Sequence, residues 1–325
     1  MGRLLAAAAV LVALAGCGAT YIGDGAGTRV LAGDVIPAIV QPAFDSPAAV
    51  RGLVRPDDLV VGAVVEGRAH AYPIDLLSLH EVVNDGPVVV TWCPLCQSAL
   101  AFDRRVRGRT LTFGVGGLLH ANQLLYDRQS GSRWSQLLGR AISGRYRGTR
   151  LRPVPLAEVT YAQWLRAHPD TLVVSIRRDP DANRFLHPYS YADFRGEELS
   201  SDPYLAYRQK VNIYYRTRVG GLAGATLVLG VRVGRTAKAY SLQLLHGPVS
   251  DVVAGRRLRI VPDPDALSAA VFSGGRRLPS TTVYWFAWRA FFPHTLVYRV
   301  TSATRGRSSP VPPPAGRGSR RRRGR

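Results

Sequence analysis

Two cysteines, Cys93 and Cys96, stand at the end of Val88-Val89-Val90-Thr91-Trp92-Cys93-Pro94-Leu95-Cys96, where an apolar β-branched run breaks into a turn. Thiols at this spacing either hold a soft metal ion or close into a reversible disulfide. Pro94 fixes φ directly after the first thiol, which suits a tight turn or the first position of a helix. The chain has three cysteines in all, and the third, Cys17, sits in a different setting.

A Cys-x-x-Cys pair supplies two ligands, whereas a structural zinc site takes four. No second Cys-x-x-Cys exists, so further ligands must come from histidine or carboxylate. Among the seven histidines, His80 ends a short helical stretch upstream and His120 lies in a Gly-rich turn downstream. A metal reading therefore groups Cys93, Cys96, His80 and His120 around copper or zinc, with Glu81 and Asp127 orienting the ligands. A redox reading uses the same pair as a dithiol, because Trp92-Cys93-Pro94-Leu95-Cys96 resembles the Trp-Cys-x-x-Cys turn of thioredoxin-like proteins. Against that likeness, Ser98 to Phe102 alternates like a strand, not a helix, and clear βαβ units are missing. A disulfide that only staples the turn ranks third, since so short a loop removes little chain entropy. A further class is a non-catalytic binding module built on the aromatic segment that holds Tyr189 and Tyr191. There is no Gly-x-Ser-x-Gly elbow, no Walker loop, and no dinucleotide fingerprint in a βαβ setting.

The N-terminus sets the compartment. Arg3 precedes an apolar run, Leu4 to Leu14, followed by Leu14-Ala15-Gly16-Cys17. This has the layout of a secretory signal and is too short to span a bilayer. Leu-Ala-Gly-Cys resembles the lipobox of bacterial lipoproteins, which makes Cys17 the acylated anchor on the extracytoplasmic face. The net charge is +21, and the eight arginines between Arg305 and Arg325 account for the step from +13 to that value. An exported chain meets no chromosomal DNA, so nucleic acid is not expected as a partner. The Arg320-Arg321-Arg322-Arg323 run suits anionic lipid headgroups or wall polymer, or a plain solvated arm.

The elements that must position the thiols read as short strands. Leu59 to Val65 and Ala69 to Ile74 form a hairpin around Glu66-Gly67-Arg68, and Asp75 caps a short helix, Leu76 to His80. Val88 to Trp92 is a buried strand. Leu100 to Val106 and Thr110 to Val115 read as a hairpin around Arg107-Gly108-Arg109. Tyr161 to Ala167 is a short amphipathic helix stopped by Pro169, and Leu172 to Ile176 a strand.

Leu59 to Leu77 aligns without gaps on Leu227 to Leu245, with nine of the nineteen positions identical, Gly62 with Gly230 and Tyr72 with Tyr240 among them. Chance gives about one or two, so the chain contains an internal repeat. At the same offset, Cys93-Pro94-Leu95-Cys96 falls on Val261-Pro262-Asp263-Pro264, which keeps a proline turn and has no sulfur. The expected fold is α+β and β-rich, two duplicated units with short helices packed about a pseudo-twofold. The divisions are 1–17 signal peptide, 18–56 tether and irregular lead-in, 57–160 first unit, 161–221 crossover, 222–304 second unit and 305–325 tail.

One further set of residues carries a resemblance. His80-Glu81-Val82-Val83-Asn84-Asp85, Thr91-Trp92-Cys93-Pro94-Leu95-Cys96-Gln97-Ser98-Ala99, Phe102-Asp103-Arg104, Leu111-Thr112-Phe113-Gly114 and Tyr126-Asp127-Arg128-Gln129-Ser130-Gly131-Ser132-Arg133-Trp134-Ser135-Gln136 resemble the family catalogued as domain of unknown function 3179. The resemblance implies an exported or membrane-associated prokaryotic protein with a Cys-Pro-x-Cys site and no established activity. It raises His80 above the other histidines as a partner for the thiols.

Overall fold

The computed structural model describes residues 36–175, 177–178 and 218–299, with the backbone of two short strands, Ile22–Gly23 and Thr28–Val30, before them. Cys17 and the signal segment, the middle of the crossover with Tyr189 and Tyr191, and the Arg-rich tail lie outside the described residues. In the first part of the chain the elements are β1 (Phe44–Asp45), β2 (Leu59–Val65), β3 (Arg68–Pro73), α1 (Ile74–His80), β4 (Val82–Asp85), β5 (Val88–Cys93) and β6 (Ser98–Asp103). They are followed by β7 (Phe113–Leu119), β8 (Asn122–Asp127), β9 (Arg133–Ser135), β10 (Arg140–Ala141), β11 (Arg152–Val154), β12 (Leu156–Thr160), α2 (Tyr161–Ala167) and β13 (Leu172–Val174). After the crossover come β14 (Leu227–Val233), β15 (Thr236–Ser241), β16 (Val249–Val253), β17 (Arg256–Asp263), β18 (Ser268–Ser273), β19 (Arg276–Leu278), β20 (Ser280–Tyr284), α3 (Trp285–Phe291) and β21 (Leu296–Val297).

Several small sheets carry the fold. Three of the larger ones belong to the first part, in the orders β12-β2-β3-β13-β1, β11-β6-β5-β4 and β7-β8-β9-β10, the last continued beyond β7 by Thr28–Val30 and then Ile22–Gly23. Two belong to the second part, β20-β14-β15-β21 and β16-β17-β18-β19. The β5 sheet is the middle layer of the first part. Val88, Val90 and Trp92 face Val61, Tyr72 and Leu77 on one side, while Val89 and Phe102 face Phe113, Leu125 and Trp134 on the other. Cover on both faces explains why all six residues of β5 are buried and why the sequence there runs apolar without alternating. Each buried Val or Leu adds roughly 1.5–3 kcal/mol of burial free energy.

Corresponding contacts recur in the two parts. In both, an antiparallel hairpin (β2–β3, β14–β15) takes a third strand on one edge (β12, β20) and a short parallel strand on the other (β13, β21). A seven-residue helix follows the edge strand each time and lays a tryptophan on a glycine. A Cβ on Gly62 would meet Trp164 at 2.3 Å, and one on Gly230 would meet Trp288 at 2.3 Å. Trp164 Nε1–H donates to Thr171 Oγ1 at 2.8 Å, and Trp288 Nε1–H to Thr295 Oγ1 at 2.9 Å. Tyr72 donates to Asp85 at 2.5 Å, and Tyr240 to Asp251 at 2.7 Å.

Two local expectations change. Helix α1 begins after Pro73, whose φ of −56° and ψ of 135° make it the extended residue before the first turn, so Asp75 lies inside that turn instead of capping it. The tight turn at Arg107-Gly108 joins only Arg105–Val106 to Arg109–Thr110. The longer strands on either side go to different sheets, because Ser98–Asp103 pairs along its whole length with β5. Helix α2 spans Tyr161–Ala167 as the sequence predicts, and Thr160 and Gln163 close a capping box around its start.

Candidate functional site: a buried thiol pair at the junction

The thiol turn is a hairpin loop, not a strand-to-helix junction. Cys93 pairs across the ladder with Ser98, and Pro94, Leu95, Cys96 and Gln97 make the connection. Cys96 N–H donates to Cys93 O at 3.2 Å, and Gln97 takes a left-handed φ of 50° to turn the chain back. The turn returns directly into β6, so it does not itself open a helix as the thioredoxin-like turn does.

Both cysteines are free thiols, and both are almost fully buried, at 1% and 0% exposure. They are packed against the second part of the chain, where Val228, Ala239, Val283, Trp285, Phe286 and Trp288 share their apolar cluster. Helix α3 therefore forms the cover over the pair. Its backbone is tied to the turn, since Tyr284 N–H donates to Cys96 O at 2.9 Å.

Cys96 Sγ–H donates to Ala121 O at 2.9 Å. Burial pushes this thiol well above the usual range, and hydrogen bonding to Cys93 and the charge on that neighbour push it further. The Glu81 carboxylate adds to the rise, while the Asn122 side-chain amide opposes it. At neutral pH Cys96 is thus a protonated thiol, buried beside Cys93.

A polar network that sequence reasoning missed runs beside the pair. Asn122 Nδ2–H donates to Gln136 Oε1 at 2.7 Å and to Ser98 Oγ at 3.3 Å, and Ser98 Oγ–H donates to Gln136 Oε1 at 2.9 Å. Gln136 Nε2–H in turn donates to Thr91 Oγ1 and to Ser98 O, each at 3.0 Å. All four side chains are fully buried. The signal for them was present as polar residues flanking an otherwise apolar cysteine strand, but nothing local said that they would meet. A buried network of this kind fixes one geometry because every broken link leaves an unpaired group.

The other expected site residues fall as follows. His80 is buried, and its Nδ1–H donates to Pro37 O at 2.6 Å. Glu81, at the left-handed end of α1, accepts from Gln123 Nε2–H at 3.0 Å and lies near enough for its charge to act on Cys96. His120 is exposed, with a left-handed φ of 49°, and its ring stands edge-on to Phe291 at 5.7 Å. Asp127 occupies the far end of β8 from Asn122. There it holds the Ser130 turn and accepts from Trp134 Nε1–H at 2.9 Å. The structure brings Cys93, Cys96 and Glu81 into one neighbourhood and places Asp127 away from it. Among the described residues no three His, Cys, Asp or Glu side chains converge in a group that could hold a metal ion.

The fold and the site define a class: a β-rich protein of several small sheets, whose one thiol pair is enclosed where two parts of the chain meet. The chain belongs to the family described as Protein of unknown function (DUF3179), whose model matches residues 33–295. No curated protein and no solved structure matches it.

Proposed function

We propose that this is an extracytoplasmic protein, anchored to the membrane through a lipid on Cys17, whose working centre is the Cys93–Cys96 dithiol acting as a thiol–disulfide exchange couple. The observation that carries this reading is that two free thiols, three residues apart in one hairpin loop, are enclosed together in the same apolar cluster. In the reaction, Cys93–SH and Cys96–SH reduce a partner disulfide R–S–S–R′. A Cys93–Cys96 bond forms, the R–S–S–R′ bond breaks, and two electrons and two protons leave as RSH and R′SH. The enclosed, protonated Cys96 makes the reduced pair slow toward bystanders, and movement of α3 sets when the sulfurs are reached. The test is titration of the free-thiol count against glutathione buffers of graded potential. Joint loss of both thiols in one two-electron step supports the reading, and a pair that stays reduced throughout removes it.

A second reading keeps the pair as a ligand set for a thiophilic ion, copper or zinc. It is favoured by the buried, apolar setting of two soft sulfur donors, which suits Cu(I). His80 and His120 complete the set in that case only if the surrounding loops rearrange. Metal analysis of wild type against Cys93→Ser and Cys96→Ser separates the two readings, since bound metal lost in both variants supports the ion.

The two parts of the chain are best read as an ancient duplication packed about a pseudo-twofold. The paired Gly–Trp–Thr and Tyr–Asp contacts support this. So does a reciprocal exchange: the cysteine turn rests under α3 of the second part, while Asp263, in the matching turn, accepts from Gln163 of α2 at 3.2 Å. The second turn has no sulfur, so the redox work falls to the first. The Arg-rich tail fits an anionic lipid or wall-polymer surface in this location.

A further inference from the structure

A cavity of about 340 Å³ opens between the two parts of the chain, with Trp288 in its wall. Leu100, Phe102 and Leu151 from the first part and Leu278 and Trp288 from the second make its apolar wall. Three arginines line it, Arg150, Arg232 and Arg256, and no carboxylate does. A fourth, Arg140, lies directly opposite Arg150 across an antiparallel bridge.

Like charges facing each other across strands are destabilising, and some arginines elsewhere in the chain are met by carboxylates. Arg55 is met by Asp58, Arg105 and Arg152 by Asp103, and Arg178 by Asp45. At the cavity the nearest charges acting on Arg232 are Arg150 and Arg140, both of the same sign. Its guanidinium rests instead over the Phe292 ring at 5.4 Å. Cations gathered at the mouth of an apolar pocket, with the counter-charge missing from the protein, are the mark of a site whose counter-charge arrives with the ligand.

We infer that this cavity binds a phosphate monoester with a small apolar body, the phosphate held by Arg150, Arg232 and Arg256 and the body lying on Phe102, Leu278 and Trp288. Three to four cations match a dianionic headgroup better than a monoanionic carboxylate, and guanidinium forks fit phosphate oxygens in pairs. The volume is at the low end of the roughly 300–1,000 Å³ range of small-molecule pockets, so the body is short. This site is independent of the thiol chemistry proposed above.

Isothermal titration of the full chain with octyl phosphate tests it, with inorganic phosphate, octanoate and octyl glucoside as comparisons. Octyl phosphate is expected to bind at least tenfold more tightly than each of the other three. Arg232→Gln and Arg150→Gln, both at exposed positions, are each expected to weaken it tenfold or more, and Cys93→Ser to leave it unchanged. Equal binding by the arginine variants and wild type, or no octyl phosphate binding at millimolar concentration, overturns the site. Inorganic phosphate or octanoate binding as tightly as octyl phosphate overturns the assigned ligand class.

Discussion

The backbone N–H of Tyr284 donates to the carbonyl of Cys96 at 2.9 Å, across 188 positions of sequence. This bond fastens the start of α3 to the thiol turn and makes a helix from one part of the chain the lid on the sulfurs of the other. Access to the pair is therefore a property of the junction and not of the turn alone.

Removing part of the lid should expose the thiols. Phe286 is buried in the same cluster as both cysteines. Phe286→Ala is expected to raise the rate of thiol labelling by a small aromatic disulfide tenfold or more. It should also lower stability by about 3–5 kcal/mol, the usual cost of Phe→Ala in a core. Labelling kinetics under native conditions, beside urea unfolding, check both. An unchanged labelling rate would mean that α3 does not control access.

Thiol reactivity should respond to pH in one direction. The Cys96 thiol is held above its usual range in the folded state, chiefly by burial. Its contribution to stability is present below the unfolded thiol value, about 8.5, and is lost as pH rises through the higher folded value. Labelling should accelerate and stability fall together on the alkaline side, and the stability change should vanish in Cys96→Ala. A rate that levels off near neutral pH would contradict this.

Glu158 gives a second pH signature. The residue is half-buried, but its carboxyl faces inward, with Oε1 accepting from Thr282 N–H at 3.1 Å, and burial pushes it up to about 8 despite the opposing charge of Arg277. Because the folded value is raised, the stabilising contribution is complete below the ordinary carboxylate range and disappears as pH climbs through about 8. Between pH 5 and 8 the wild type should lose stability on the order of a few kcal/mol. Glu158→Gln, which keeps an acceptor for Thr282 N–H, should flatten that dependence and be the more stable form at pH 8. Denaturant midpoints at a series of pH values measure it.

The matched tryptophan contacts should respond alike. Gly62→Ala and Gly230→Ala each force a methyl group to within 2.3 Å of an indole ring. Each is expected to destabilise by about 1–3 kcal/mol or more. Urea unfolding of the two variants compares them, and a large effect at one site with none at the other would count against the equivalence of the two parts.

Much of this framework could be read from the residues. The hairpin of β2 and β3, the buried β5, helix α2 and the likeness of Leu59–Leu77 to Leu227–Leu245 all rest on local pattern, and local pattern is what periodicity and turn residues record. The surroundings of the thiols were less accessible. That Cys96 would lie under Trp285 and Phe286, and that Thr91, Ser98, Asn122 and Gln136 would join into one network, depends on contacts between distant segments. His80 and Asp127 stand close to the thiols in the motif series, yet His80 turns to Pro37 and Asp127 to Trp134. A residue's neighbours along the chain told which groups were unusual and not where their side chains would find partners.

The most direct test equilibrates the wild-type protein with glutathione buffers across a range of potentials and counts free thiols by mass after alkylation. The account predicts one transition in which Cys93 and Cys96 are lost together with the mass of two hydrogens, abolished in Cys93→Ser. Thiols that remain reduced at every potential, or that are withheld from alkylation by a stoichiometric bound metal, would contradict it.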